Sequence, residues 1–262
     1  MHPAFAQPSP AVRPVLRRAA AWLAAGLSAV AASAAAQSPA GTCQARSGER
    51  QTLLVELYTS EGCNSCPPAD RWLSSLKGRP EVLAAAFHVD YWDRLGWTDR
   101  FGSPRHTERQ ARQQRSSGAG FSYTPQVLAN GRDWRGAPTL PILDQPAQVQ
   151  VSAQRLNAQR VAVQVQARPG APARLALWWA VLEDGHVSVV RAGENQGVTL
   201  HHDHVVRQYG QLPAWPAQPA SPAQWQIDLA AQKSESGPKA RLLLVVTDAA
   251  TDRPLQALQL GC

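Results

Sequence analysis

Cys63 and Cys66 are separated by Asn64 and Ser65, and the flanking residues decide what that spacing can do. A short apolar run, Thr52 to Tyr58, precedes the pair, and Pro67 opens a segment with Trp72, Leu73 and Leu76 at helical spacing. A C-x-x-C between a strand and a helix is a redox arrangement. Helix-terminal N–H groups and the helix dipole favour a thiolate at Cys63, and the thiolate is the attacking species in disulfide exchange. Cys66, one turn on, is placed to resolve a mixed disulfide. The same two residues also fit an inert disulfide or half of a zinc site. No second C-x-x-C and no H-x-x-x-H is present to complete the zinc set.

Other chemistry-bearing residues are scattered. Cys43 and Cys262 stand near the two ends of the chain and suit a structural disulfide, with intermolecular pairing or free thiols as alternatives. His88, Asp90, Tyr91, Trp92 and Asp93 follow a second apolar run, where strand ends often line a site; packing aromatics and an Asp90 that caps the loop are the plain alternative. In His201-His202-Asp203-His204, a strand would put His202 and His204 on one face, a pairing that can bind metal but is more simply a surface pair. No metal ligand is assigned. Arg105, Arg109, Arg112 and Arg115 form a helical face that reads most simply as solvated.

The elements that must position these groups change character along the chain. Strand-like runs 52–58 and 82–89 alternate with helix-like segments 67–76 and 103–115, the latter capped by Ser103. Residues 125–129 and 133–136 flank Asn130-Gly131, a strong hairpin signal, and a short helix is expected near 140–147. The order β-α-β-α-β-β-α suits a mixed sheet with helices on its faces. From 148 onward the period becomes two, as in Val161, Val163 and Val165, and several short strands predict a β-sandwich. There Asp184-Gly185 predicts a hairpin joining 175–182 to 187–190, and 213–222 reads as a surface connection.

Arg13, Arg17 and Arg18 followed by the small, apolar run 19–36 read as a secretory signal peptide cleaved after Ala36, rather than a membrane anchor. The 262-residue chain carries a formal charge of +7, and losing those three arginines leaves +4. That modest charge gives nucleic-acid binding little support. A hydrophobic content of 44% excludes disorder as the overall class. No later run approaches a membrane span, so the expectation is a secreted or periplasmic protein in an oxidising compartment.

The strand, the C-x-x-C helix and Tyr123-Thr124-Pro125 together resemble the thioredoxin-like superfamily. The segments VELYTSEGCNSCPPAD (55–70), FHVDYWDRLGW (87–97), TERQ (107–110) and YTPQVLANG (123–131) are similar to a secreted thioredoxin-like family catalogued as domain-of-unknown-function family 1223. The resemblance implies an α/β thioredoxin-like domain with a mixed central sheet at 37–147, and the period-two pattern beyond it an all-β sandwich-like domain at 148–262. It implies catalytic roles for Cys63 and Cys66, a cis Pro125 shaping the docking edge, and a substrate-binding surface from Tyr123, Thr124, Asp90 and Trp92. Glu56 is the candidate buried acid, although it stands seven residues before Cys63 where thioredoxins use six. That offset turns it to the other face of a regular strand. Asn64-Ser65 differs from the dipeptides of thioredoxin and of the strongly oxidising periplasmic enzymes, so no direction of electron flow is carried over. The expected activity is exported thiol–disulfide exchange with protein or small-molecule thiols and no cofactor. The rival readings are a periplasmic copper or other soft-metal protein, and a non-catalytic interaction protein with structural disulfides.

Overall fold

A computed structural model describes residues 43–231 and 240–262; the expected signal peptide and its cleavage site lie outside them. In chain order the elements are β1 (Gln44–Arg46), β2 (Leu53–Thr59), α1 (Pro67–Ser74), β3 (Val82–His88), a 3-10 turn (Asp93–Leu95), α2 (Pro104–Ser117), β4 (Gln126–Ala129) and β5 (Arg132–Asp133). Then follow β6 (Val149–Arg155), β7 (Arg160–Ala167), β8 (Arg174–Glu183), β9 (His186–Val189), β10 (Thr199–His202), β11 (Val205–Pro216), β12 (Ala223–Asp228), β13 (Arg241–Asp248) and β14 (Pro254–Leu260). The protein is mostly β, with few helices.

An eight-stranded mixed sheet runs β14-β13-β8-β11-β3-β2-β4-β5. Its parallel junctions are β2–β3 and β11–β3. The change of sequence period at 148 is therefore not a break in the sheet, because β11 from the second half pairs directly with β3 from the first. A four-stranded sheet, β1-β6-β7-β12, covers one face of β8, β13 and β14. Val149, Val151, Val161, Val163 and Val165 point inward against Leu175, Leu177, Leu242, Leu244 and Leu258. Period-two alternation is what turns them all to one side, and each fully buried side chain contributes about 1.5–3 kcal/mol relative to exposure.

The first half follows its sequence pattern closely at β2, α1, β3 and α2. Ser103 caps α2 as expected, its hydroxyl accepting from the Arg105 N–H at 3.3 Å. Asn130 and Gly131 take φ 51 and 76 between β4 and β5, the left-handed values that an Asn-Gly hairpin turn requires. Leu53, Val55 and Leu57 pack on Leu73 of α1 and on Leu76 just after it, while Leu54 and Tyr58 face the opposite side with Phe87 and Trp178.

Four expectations fail. No helix forms at 140–147. Pro141 and Pro146 lack an N–H donor, and the stretch from Trp134 to Leu143 instead lies as a loop over α1, pinned by Trp72 Nε1 donating to Pro138 O at 3.0 Å. β9 does not pair with β8, whose two edges are already taken by β11 and β13; it pairs with β10 in a separate two-stranded sheet. The stretch 213–222 is not all connection, because β11 continues along β8 to Pro216 across an irregular register between Leu212 and Trp215. The arginine face of α2 is not all solvated, since Arg109 is only 2% exposed.

Candidate functional site

The C-terminal ends of β2 and β3 and the start of the antiparallel β4 meet at one end of the large sheet. Cys63 and Cys66 lie in the loop that leaves β2, where the Cys63 N–H donates to Ser60 O and the Cys66 N–H to Cys63 O, at 3.1 and 3.2 Å. Cys66 is the N-cap of α1, and the two sulfurs form a disulfide with a Cα–Cα distance of 5.4 Å. Thr124-Pro125 enters β4 beside the end of β2, and that peptide bond is cis. The loop carrying the pair passes so close to Trp92 that a Cβ on Gly62 would stand 3.0 Å from Trp92 Cβ. Trp92 Nε1 in turn donates to Thr124 Oγ1 at 2.8 Å, tying the β3 end to the proline loop.

The donors at the head of α1 are fewer than a C-x-x-C helix usually offers. Pro67 and Pro68 occupy the first two helical positions and have no N–H. The Asn64 N–H is taken by Glu194 Oε2 at 3.1 Å. Near Cys63 Sγ the Ser65 hydroxyl remains, at 3.4 Å. Asn64 and Ser65 are exposed, while both cysteines are fully buried.

Beside the pair lies a buried group of ionisable side chains: Glu61, Asp70, His88, Asp99 and His202. Asp99 Oδ2 is 2.7 Å from His88 Nδ1 and also accepts the Glu61 N–H at 2.9 Å. Burial alone would push Asp99 up. The His88 imidazolium and the N–H groups of Glu61 and Phe101 outweigh it and hold the carboxyl at about 2. Burial would likewise push His88 down, but the Asp99 carboxylate reverses the sign and holds it above the ordinary histidine value. His202 Nε2 stands 3.3 Å from Glu61 Oε1, and Trp97 Nε1 donates to Glu61 Oε2 at 2.7 Å. The His88 and His202 rings meet edge to face at 5.0 Å between centroids.

Asp70 is one helical turn beyond Cys66, and its N–H donates to Cys66 O at 3.1 Å. Its carboxyl accepts from Thr59 Oγ1 at 3.1 Å. Burial pushes it above the usual carboxylate range, against the pull of His88 and His202. Among the described residues, no group of three or more His, Cys, Asp or Glu side chains is arranged to hold a metal ion.

Of the residues expected to form the site, Cys63 and Cys66 are joined, and Trp92 links their loop, through Gly62, to Thr124 of the proline loop. Asp90 is engaged locally, accepting from Thr107 Oγ1 at 2.6 Å and so fastening the loop to α2. The Tyr123 hydroxyl donates to Asp133 at 2.8 Å, on the β4–β5 hairpin. Glu56 is not with the cysteines. It shares the Leu54–Tyr58 face of β2, away from α1, and pairs with Arg109 at 2.5 Å. His202 and His204 are separated as well. His204 takes φ 57 between β10 and β11, which ends one strand before the next begins and sends its ring to Arg241, 3.3 Å from Nη2. Glu61 and Asp70 lie inside the segment that flanks the cysteines, where polar residues among buried positions were a usable signal. Asp99 and Asn195 carry no local signal, because they arrive from distant elements, and the cluster that marks His202 in the sequence does not tell of its place beside Glu61.

The family described as a protein of unknown function, DUF1223, matches residues 54–247. No curated protein matches the chain. Among solved structures, an X-ray structure of a structural-genomics protein from Agrobacterium tumefaciens is similar over 81% of this chain and 95% of its own, at 26% identity and a TM-score of 0.62. HBP35 of Porphyromonas gingivalis shares the fold over 81% of this chain and 76% of its own, at 14% identity and a TM-score of 0.56.

Proposed function

This chain belongs to the DUF1223 family, and we propose from its site that it is an exported thiol–disulfide oxidoreductase on a thioredoxin-like fold. The observation that carries the reading is the placement of Cys63 and Cys66: a disulfide at the C-terminal end of a parallel strand, at the head of α1, beside the Thr124-Pro125 entry to an antiparallel strand. In this reading residues 1–36 are an export signal, 37–147 carry the exchange site and 148–262 the sandwich. Two disulfides suit an oxidising compartment, secreted or periplasmic. Among the described residues, no helix is long and apolar enough to cross a membrane.

In the reduced protein the Cys63 thiolate attacks one sulfur of a substrate disulfide. That S–S bond breaks, a Cys63–substrate bond forms, and the first substrate thiolate leaves and takes a proton. Cys66 then gives its proton to Asp70 or to water and attacks Cys63 Sγ, releasing the second substrate thiolate. The protein ends oxidised and the substrate reduced; the same steps reversed oxidise a dithiol. The pair's potential against its surroundings sets the direction. Trp92, Thr124 and Pro125 frame the docking edge, and no cofactor enters the cycle.

Full burial of both sulfurs favours a second reading, in which the disulfide only braces the loop. Equilibration of the mature protein in glutathione buffers, followed by alkylation and peptide mass mapping, separates the two. An exchanging pair titrates within the glutathione range, and Cys66→Ser accumulates a mixed disulfide at Cys63. A pair that stays oxidised below about −300 mV and traps nothing is structural.

A further inference from the structure

Part of what covers the cysteine pair comes from the second half of the chain. The segment between β9 and β10 turns back on itself and lies against the loop that carries Cys63. Asn195, itself only 5% exposed, donates from Nδ2 to two main-chain oxygens, Glu61 O at 2.9 Å and Cys63 O at 3.0 Å. Its neighbour Glu194 accepts the Asn64 N–H. Gly193 and Gly197 flank the turn at φ 76 and 85, a conformation side chains resist and a common place for a hinge. The turn is closed by the Gly197 N–H donating to Val190 O and the Val198 N–H to Asn195 O, at 2.9 and 3.0 Å. The β9–β10 hairpin belongs to neither large sheet, and a two-stranded hairpin is marginal by itself. Its seat therefore depends on contacts of this kind, on the buried side chains of Val190, Leu200 and His202, and on Arg100 Nη2 donating to Val187 O at 2.9 Å.

We propose that the Gly193–Gly197 turn is a gate over the Cys63–Cys66 disulfide and that Asn195 is its latch, a positioning residue that holds the Cys63 carbonyl and must let go before an outside thiolate reaches the sulfur. An attacking sulfur must approach along the S–S axis, and a buried Cys63 gives it no path. Opening breaks the two Asn195 hydrogen bonds and the Glu194 contact, parts Gly193 from Trp97, and leaves the large sheets intact. The biological use of the gate rests on the exchange activity proposed above; its effect on access to the disulfide does not.

The test uses the oxidised full chain and dithiothreitol at neutral pH, quenched by alkylation, with peptide mapping to give separate rates for Cys63–Cys66 and Cys43–Cys262. Asn195→Asp keeps the size of the side chain but replaces the donor by an acceptor facing two carbonyl oxygens. The expected result is at least a tenfold faster reduction of Cys63–Cys66, the scale of two ordinary hydrogen bonds, with Cys43–Cys262 unchanged. A change below twofold overturns the proposal. If both disulfides accelerate alike, the variant is misfolded and hydrogen exchange on the wild-type chain decides. The amides of Asn64, Gly197 and Val198 are expected to exchange together and far faster than those of β8. Protection equal to that of β8 overturns the gate. A pair that dithiothreitol reduces but glutathione never exchanges sinks the oxidoreductase reading alone. Free exchange with no effect of Asn195→Asp sinks the gate alone.

Discussion

Glu56 and Arg109 close a buried ion pair, 2.5 Å apart, on the face of the sheet opposite the cysteine helix. The guanidinium also bonds the Tyr58 hydroxyl and lies among aromatic rings, its Cζ 4.3 Å from the Phe87 centroid and 4.6 Å from that of Trp178. Burial raises the Glu56 carboxyl above the usual carboxylate range, and the charge of Arg109 offsets only part of that rise. The pair fastens α2 to β2.

Glu56→Ala would leave the Arg109 charge buried without its partner. Breaking such a pair costs about 3–5 kcal/mol. Urea unfolding should show a loss of that size, while the dithiothreitol reduction rate of Cys63–Cys66 stays within about twofold of wild type, since the two sites lie on opposite faces. A reduction rate that collapses in step with Glu56 substitution would put the residue back in the exchange machinery.

Acid should unfold the protein in two stages. Burial holds His106 at about 4, below the 6.5 of an unperturbed histidine. The unfolded chain therefore binds that proton first, and stability falls as pH drops from 6.5 to about 4. Asp99 is depressed from 3.8 to about 2, so its contribution is intact above 3.8 and is lost as pH falls through about 2. A carboxyl shifted that far contributes about 2 kcal/mol. His88, held above 6.5, acts at the other end: its contribution is present below 6.5 and is lost as pH rises through its raised value. Burial lowers His204 to about 4 in the same way, so stability curves from pH 7 to 2 should show a smaller lower stage in Asp99→Asn and keep only the His204 share of the upper stage in His106→Gln.

The disulfide Cys43–Cys262 joins the residue before β1 to the end of the chain after β14, across a sequence separation of 219. β1 has three residues and, among the described strands, pairs with β6 alone, with Ala45 resting on the core of the sandwich. Replacing both cysteines by serine should cost about 2–5 kcal/mol. In hydrogen exchange the β1 amides should lose protection before those of β13. The Cys63–Cys66 reduction rate should not change.

What was legible in the sequence was whatever a local period or turn encodes. Val161, Val163 and Val165 announce an inward face by alternation, Asn130-Gly131 announces a hairpin, and Ser103-Pro104 announces a helix start. Cys63 and Cys66 were legible because strand, spacing and helix are contiguous. The offset of Glu56 by one residue already placed it on the far face, and the pair with Arg109 shows what that face does. Pairing choices were not legible. Gly185 takes φ 75 between β8 and β9, yet no hairpin forms there, because β11 and β13 occupy both edges of β8. Arg109 reads as solvated because its cage is assembled from β2, β3, β8 and β11. His88 and His202 were legible as candidates, but their grouping with Glu61 and Asp99 was not, since these residues meet only after distant segments have docked.

Asp70 is where stability and exchange should pull apart. It is buried one turn beyond Cys66, and desolvation raises its pKa. A carboxyl with a raised folded-state value is most favourable below its unfolded value of 3.8, and that contribution is lost as pH rises through the raised value. At neutral pH it is therefore a burden on the fold. Asn has the same shape, keeps an oxygen to accept from Thr59 Oγ1 and carries no charge to desolvate. Asp70→Asn should raise unfolding stability at pH 7 and remove the pH dependence just above 3.8. If Asp70 takes the Cys66 proton, the variant should also resolve a Cys63 mixed disulfide more slowly by about a hundredfold, the low end of what a positioned acid–base group supplies. Rapid-quench kinetics on the Cys63–glutathione adduct, run against pH, read this directly. A variant that is stabilised while resolution keeps its rate and pH profile would leave Asp70 a buried structural acid and send the proton to water.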